Sequence, residues 1–168
     1  VLDLADCQIG SSVCCDGVCL TIISLGNKDN NYSFGVNVGE ETLKRSNLID
    51  WNVGSKINLE KSLKVGDEIA GHFVYGHVDR VLKVGKVEKF KNSWEYSFYF
   101  DSLSDQDDLK KFIVEKGSLA INGISLTVAN VYEKYFNVSI IPFTYENTNL
   151  SNIKENDTVN IEFDPLAR

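Results

Sequence analysis

The sequence contains few or no residues of several types, and each of these shortages excludes some classes of protein or partner. Its 168 residues include no Met, only 2 Pro and only 2 His. It has no apolar run of about 18 residues, the length that a membrane-spanning helix needs, so we expect no membrane partner. Basic residues (17) are fewer than acidic ones (24), and the net charge of −7 argues against a nucleic-acid partner.

Cysteine is absent after residue 19, and all four cysteines lie within residues 7–19. A disulfide framework would spread its cysteines along a small secreted chain. Cys14 and Cys15 are neighbours on a predicted strand and point to opposite faces, so they cannot easily share a metal ion. We therefore predict reduced thiols, no metal site and a cytoplasmic location. Because the chain lacks Met and begins at Val1, we expect the natural protein to be longer at its N-terminus.

Two short stretches of nearly the same pattern organise the chain. Residues 14–22 read Cys-Cys-Asp-Gly-Val-Cys-Leu-Thr-Ile, and residues 120–128 read Ala-Ile-Asn-Gly-Ile-Ser-Leu-Thr-Val. Asp-Gly and Asn-Gly between apolar flanks predict two-residue β-hairpin turns. The two stretches keep a constant offset of 106 positions (122 − 16 and 125 − 19, for example), which indicates an internal repeat.

The repeat extends over most of the sequence. Asn47-Leu48 matches Asn149-Leu150, and residues 57–60 match residues 159–162, at an offset of 102 (149 − 47). The pattern predicts an all-β protein of two tandem six-stranded antiparallel Greek-key barrels, related by duplication and carrying short helices. We assign residues 1–80 to an incomplete first barrel and residues 81–168 to the second. Two strands and a helix over 104–116 precede the second hairpin, whereas the first half lacks such a pair of strands.

Both histidines lie in the segment Gly71-His72-Phe73-Val74-Tyr75-Gly76-His77-Val78-Asp79. Histidine is the usual proton carrier near neutral pH, although a structural imidazole bound to backbone carbonyls is an equal alternative. Cys19 and Ser125 occupy equivalent places in the repeat, as do Thr21 and Thr127. Such polar side chains on strands are usually solvated, but the same polar face in both halves favours two binding sites for one ligand.

These motifs together resemble the riboflavin synthase family. The matching stretches are residues 16–22, 41–48, 57–60, 70–80, 122–128, 144–150 and 159–162. The family usually begins with Met-Phe-Thr-Gly and ends in a helix after Ile-Glu-x-Asp. Neither is seen here, which agrees with the expectation of a longer natural protein.

The resemblance implies a cofactor-free enzyme of the last step of riboflavin biosynthesis. Two molecules of 6,7-dimethyl-8-ribityllumazine give riboflavin and 5-amino-6-(D-ribitylamino)uracil. It further implies a homotrimer with active sites between subunits, and it names lumazine synthase as a candidate partner. Two alternatives remain: a non-catalytic lumazine- or flavin-binding protein of the lumazine-protein type, which shares the fold, and a tandem-barrel protein with no ligand.

The resemblance also implies the site residues. In the first pocket they are Ser12, Cys19, Thr21, Gly39, Thr42, His72, His77 and Val78. In the second they are Lys116, Ser125, Thr127, Ile141 and Thr144, with Asp164 nearby. Among these, His77, His72, Cys19 and Ser125 are the catalytic candidates, His77 assisting proton removal and His72 orienting.

Three positions depart from the family pattern, namely Arg80, Asn122 and Tyr145. Asn122 stands where the family often has Asp, which leaves Asp164 as the acid–base candidate near the second pocket.

Overall fold

The first half of the chain forms an open four-stranded antiparallel sheet. The computed structural model describes residues 3–29, 31–100 and 109–167. The strands of this half are β1 (Ser12–Cys15), β2 (Val18–Lys28), β3 (Asn31–Val36) and β4 (Leu59–Lys61). Their order in the sheet is β3-β2-β1-β4. Helix α1 (Glu40–Arg45) and a 3-10 turn (Asn47–Asp50) join β3 to β4, and the helix dipole favours its acidic first turn and basic last turn.

The second half closes into a six-stranded antiparallel barrel. Its strands are β5 (Arg80–Lys89), β6 (Trp94–Tyr99), β7 (Ser118–Ile121), β8 (Ile124–Val131), β9 (Tyr135–Ile140) and β10 (Thr158–Phe163). Their order around the barrel is β10-β5-β6-β9-β8-β7, with β7 pairing back onto β10. Helix α2 (Pro142–Asn147) and a 3-10 turn (Asn149–Asn152) join β9 to β10. The all-β prediction and one of the two predicted six-stranded barrels are confirmed, whereas the described residues of the first half form four strands.

The two halves repeat the same order of elements. The series β1, β2, β3, α1 and β4 corresponds to β7, β8, β9, α2 and β10. Within the described residues, β5 and β6 have no counterpart in the first half. The predicted helix over 104–116 lies partly outside the described residues, and residues 110–116 form turns rather than a continuous helix.

The two hairpin turns have the predicted geometry. Asp16 and Gly17 have φ values of 47° and 81°, and Asn122 and Gly123 have values of 46° and 79°. Positive φ at both central residues is what a type I′ hairpin turn requires. The strands that follow also match, since β2 and β8 each carry an irregularity at equivalent places, between Ile22 and Ser24 and between residues 128 and 130.

Each half has its own apolar core. In the first half, inward-facing residues of β1 and β2 such as Val13 and Ile22 pack under Leu48. In the barrel, Phe98, Phe136 and other fully buried side chains fill the interior. Burial of this apolar surface is the main stabilising contribution to each half.

The hairpin tips of the two halves meet back to back. A Cβ on Gly17 would lie 2.8 Å from Gly123 N, so only glycine allows this approach. Around the tips, asparagine side chains cross from one half to the other in matched pairs. Asn47 N donates to Asn160 Oδ1 and Asn149 N donates to Asn58 Oδ1, each at 2.8 Å. Asn160 Nδ2 donates to Asp16 O (2.8 Å), and Asn58 Nδ2 donates to Asn122 O (3.0 Å).

Candidate functional site

A cavity of about 240 Å³ lies in the first half, beside the hairpin strand that carries Cys19. Four of the predicted residues line it, namely Cys19, Thr42, His77 and Val78. The remaining lining residues are Val18, Glu41, Arg45, Ser46 and Gly76. Strand β2, helix α1 and the segment that connects the two halves therefore each supply a wall.

Strand alternation explains why the thiol of Cys19 faces this cavity. Along β2 the buried residues Val18, Leu20 and Ile22 alternate with the exposed residues Cys19 and Thr21. The buried side chains face the core, so Cys19 and Thr21 share the outer face.

The outer faces of the two hairpins are equivalent. Ser12 pairs with Thr21 in the first hairpin, and Ser118 pairs with Thr127 in the second. Cross-strand partners lie on the same face of a sheet. Each hairpin therefore presents a hydroxyl pair on the face that also carries Cys19 or Ser125.

The connecting segment (residues 62–79) packs closely against Cys19. Cys19 N donates to Gly76 O at 2.8 Å. Gly76 has a φ of +77°, and a Cβ there would lie 2.7 Å from Cys19 Cβ and 2.8 Å from Cys19 N. Glycine is therefore required at this position both by backbone conformation and by space. The contact holds His77, the next residue, at the edge of the cavity.

His72 contacts the second half instead of the first-half cavity where the sequence analysis placed it. Its Nδ1 lies 2.7 Å from Ser125 Oγ, and its buried Nε2 has no hydrogen-bond partner among the described residues. Burial lowers the pKa of His72, and the neighbouring carboxylates of Asp164 and Glu162 oppose that shift. The two histidines are five positions apart, an odd spacing that would separate them even on a regular strand, and the irregular backbone of residues 70–79 also keeps them apart.

The other predicted residues lie around these two places. Ser12 lines a separate cavity of about 210 Å³ with Asp6, Lys61 and Lys64. Gly39 and Ile141 are the equivalent residues that precede α1 and α2, and their carbonyl groups accept from Leu43 N and Tyr145 N. Lys116 and Thr127 are exposed, and Thr144 is half-buried in α2. Asp164 directly follows β10.

Two further carboxyl groups lie near the hairpin tips, Asp16 buried and Glu60 half-buried. Burial raises the pKa of Asp16 to about 7, although Asn58 N and Asn149 Nδ2 both donate to its Oδ1. Burial also raises the pKa of Glu60 to about 7, and the charge of Asp16 adds to that rise. Burial likewise raises the pKa of the Cys14 thiol, which faces Glu60.

Three cavity residues were not predicted from the sequence, namely Gly76, Glu41 and Arg45. Glu41 and Arg45 form an ion pair along α1. Their spacing of four residues on a predicted helix indicated the ion pair, but it did not indicate that the pair lines a cavity. The requirement for glycine at position 76 depends on a contact with Cys19, which no local pattern reveals.

The arrangement combines a thiol, an imidazole and hydroxyls on one surface. Cys19 and His77 are both exposed, so a ligand in the cavity can reach a nucleophile and a proton acceptor. In the second half, the imidazole of His72 lies next to the hydroxyl of Ser125 and can accept its proton.

Within residues 3–29, 31–100 and 109–167, no cluster of His, Cys, Asp or Glu could hold a metal ion. None of the helices in these ranges is long and apolar enough to cross a membrane.

Comparison with known proteins gives a consistent result. A family model described as the lumazine binding domain matches residues 2–62 and 75–164. The riboflavin synthase of Brucella abortus (strain 2308) is 42% identical over 162 residues, which cover 96% of this chain and 78% of that protein. The riboflavin synthase of Photobacterium leiognathi is 38% identical over 167 residues, which cover 99% of this chain and 72% of that protein.

Solved structures share the fold. The structure of LumP complexed with riboflavin superposes with a TM-score of 0.82 at 18% sequence identity, covering 95% of this chain and 82% of that chain. The structure of LumP complexed with 6,7-dimethyl-8-(1'-D-ribityl) lumazine gives a TM-score of 0.79 at 17% identity, covering 95% of this chain and 81% of that chain. At such low identity these likenesses describe the fold alone.

Proposed function

Because this chain belongs to the riboflavin synthase family, we propose that it converts two molecules of 6,7-dimethyl-8-ribityllumazine into riboflavin and 5-amino-6-(D-ribitylamino)uracil. The main support for this proposal is the 42% sequence identity to a riboflavin synthase over 96% of the chain. In this dismutation one substrate molecule loses a four-carbon unit and the other gains it. The two molecules balance each other, so the reaction needs no external oxidant or reductant, and we propose from the family resemblance that it proceeds without a cofactor.

We assign the first substrate molecule to the first-half cavity. His77 assists removal of a proton from the acidic 7-methyl group, because an exposed imidazole in a cavity can accept a proton near neutral pH. Cys19 offers a nucleophile to the substrate ring, with water and a ribityl hydroxyl as the other candidates. Thr42 and Val78, which line the cavity, contact the ring, and backbone groups near Gly39 bind the pyrimidinedione edge. Ser12 and Thr21 lie outside this lining on the hairpin face of Cys19, and we assign them to the ribityl chain.

We assign the second molecule to the corresponding face of the barrel. Ser125 is the second candidate nucleophile there, with His72 accepting or orienting its hydroxyl proton across 2.7 Å. Asp164 lies close enough to act on the pKa of His72. Lys116, Thr127 and Thr144 provide polar contacts, and backbone groups near Ile141 bind the ring edge, as Gly39 does in the first half.

We further propose that the two substrate sites meet between subunits of a homotrimer. The first-half cavity is lined by no residue of the barrel half, among the residues described. This lining is compatible with a second substrate that is held on the barrel of a neighbouring chain and approaches the cavity from there. Holding both substrates face to face supplies the high effective concentration that a bimolecular step needs.

The division into residues 1–80 and 81–168, and the origin of both from one duplicated lumazine-binding unit, is also a proposal. Support comes from the equal order of elements and from the two separate stretches matched by the family model.

We expect the protein to act in the cytoplasm, because its four cysteines are free thiols. We expect lumazine synthase to be a partner, because an enzyme of that name would make the lumazine substrate that this protein uses.

A direct assay tests the function. The full chain is incubated with 6,7-dimethyl-8-ribityllumazine, and riboflavin formation is followed by absorbance and chromatography. The proposal requires riboflavin and the pyrimidine product in equal amounts. Tight binding of the lumazine without riboflavin formation would instead favour the lumazine-protein alternative. Absence of both binding and turnover would exclude both functions.

A further inference from the structure

Glu162 is a buried carboxylate that receives three consecutive backbone N–H groups. Tyr75 N donates to its Oε1 at 2.7 Å, while Gly76 N and His77 N donate to its Oε2 at 2.8 and 3.0 Å. Glu162 lies on β10 of the barrel, and only 3% of its surface is exposed. A buried charge is tolerated when it is fully hydrogen-bonded, and successive backbone N–H groups are a common cradle for an anion.

These hydrogen bonds connect the barrel to the first-half cavity. The same Gly76 whose N–H donates to Glu162 accepts from Cys19 N through its carbonyl. A second carboxylate supports the arrangement, since Phe163 N donates to Asp79 Oδ2 at 2.8 Å. The connecting segment is thus fixed to β10 on one side and to β2 on the other. The exposed imidazole of His77 extends from this fixed backbone into the cavity.

The equivalent residue of the first half, Glu60, makes no such set of contacts. Glu60 stands at the same place in the repeat, at an offset of 102 (162 − 60), and faces the thiol of Cys14. Its Oε2 is buried and has no hydrogen-bond partner in the part of the chain that the structure describes. The three backbone donors therefore distinguish two glutamates at equivalent sequence positions, of which Glu162 is buried and Glu60 is half-buried.

We propose that Glu162 is a positioning residue for the first-half site, holding His77 and the Cys19 edge of the cavity in place from the barrel. The role of Glu162 in turnover rests on the proposed function, because it assumes that His77 and Cys19 meet the substrate. Glu162 itself acts only through the backbone of residues 75–77. A shift of the imidazole by about 1 Å can lower the rate of the chemical step about 100-fold.

Substitution by glutamine tests this role because it removes the charge and one acceptor oxygen while keeping the size. The amide nitrogen of Glu162→Gln would face at least one backbone N–H, and two donors cannot bond to each other. Glu60→Gln is the matched control, since the oxygen that it replaces accepts no backbone N–H. Both variants are made in the full chain.

Turnover and backbone protection are then measured separately. For Glu162→Gln we expect kcat to fall about 100-fold with KM changed by less than about threefold, as a positioning defect predicts. Amide hydrogen exchange at residues 75–77 and at Cys19 should accelerate at least about tenfold, because exchange reports the loss of local hydrogen bonds. Glu60→Gln should leave kcat and these amides within about twofold of the parent protein.

Unchanged kcat or unchanged exchange in Glu162→Gln would overturn the proposal, and so would an equal effect in Glu60→Gln. If the parent protein shows no turnover, the proposed function fails, and exchange at residues 75–77 still decides whether Glu162 fixes this backbone. If Glu162→Gln does not fold, amide hydrogen exchange at residues 75–77 is measured in the parent protein instead. Unprotected amides at residues 75–77 in the parent protein would overturn the proposal, and strong protection would support it.

Discussion

Asp16 lies at the tip of the first hairpin, with 3% of its surface exposed and its carboxylate facing the second half. Its Oδ1 accepts from Asn58 N at 2.8 Å and from Asn149 Nδ2 at 2.9 Å. The equivalent residue in the second hairpin is Asn122, whose Oδ1 accepts from Asn160 N at 2.8 Å. Asp16→Asn therefore keeps an acceptor oxygen of the right shape and removes only the ionisable group.

The size of the effect follows from the pKa of Asp16. Burial raises this pKa from 3.8 to about 7, and each pH unit corresponds to 1.36 kcal/mol, so ionising the folded protein costs up to roughly 4 kcal/mol. Between about pH 4 and pH 7 the folded state binds more protons than the unfolded state, so this contribution to stability is lost as the pH rises. It is fully present below about pH 4 and absent above about pH 7.

Asp16→Asn should therefore be more stable than the parent protein at pH 8, by roughly 2–4 kcal/mol, and nearly equal to it at pH 4. Urea denaturation of both proteins at pH 5, 6, 7 and 8 measures this difference directly. It should grow by about 1.4 kcal/mol per pH unit up to about pH 7 and then level off. A constant difference, or a less stable variant at pH 8, would refute the reasoning that burial of the Asp16 carboxylate dominates.

Three other predictions concern the first-half cavity. His77→Ala should lower kcat by about 100-fold or more while changing lumazine affinity little, and equal turnover would remove His77 from the mechanism. Gly76→Ala should lower the free energy of unfolding by about 1–3 kcal/mol and reduce activity, because its Cβ meets Cys19 and its φ is positive; an unchanged denaturation midpoint would contradict this. Under native conditions iodoacetamide should label exposed Cys19 well before Cys15, which is buried and whose pKa burial raises to about 12, as peptide mass spectrometry can verify.

Local patterns were sufficient to predict the hairpins. Asp16-Gly17 and Asn122-Gly123 require positive φ at both positions, and both turns have it. Once the two turns were aligned, the alternation of β2 placed Cys19 and Thr21 on one outer face. The composition and turn chemistry of the second half also indicated six strands, which close into a barrel.

The irregular connecting segment could not be predicted in the same way. The family resemblance assigned His72 and His77 to one pocket, but the two side chains contact different halves, and Gly71 and Gly76 adopt positive φ values of 118° and 77°. Periodicity arguments apply only to regular backbone. The cradle formed on Glu162 depends on donors 85–87 residues away, and such a contact leaves no local trace in the sequence.

Cys19 and Ser125 occupy equivalent positions in the two halves, but they contact the connecting segment through different chemical groups. Cys19 meets it through its backbone N–H, at Gly76 O, whereas Ser125 meets it through its side chain, at His72 Nδ1. Two identical substrates must be treated differently if one is to give up a four-carbon unit and the other is to receive it. A duplicated polar face alone would treat them alike. Within the proposed function, the connecting segment therefore provides the chemical difference, because it places a base directly on the Ser125 hydroxyl and leaves the Cys19 thiol open to the cavity.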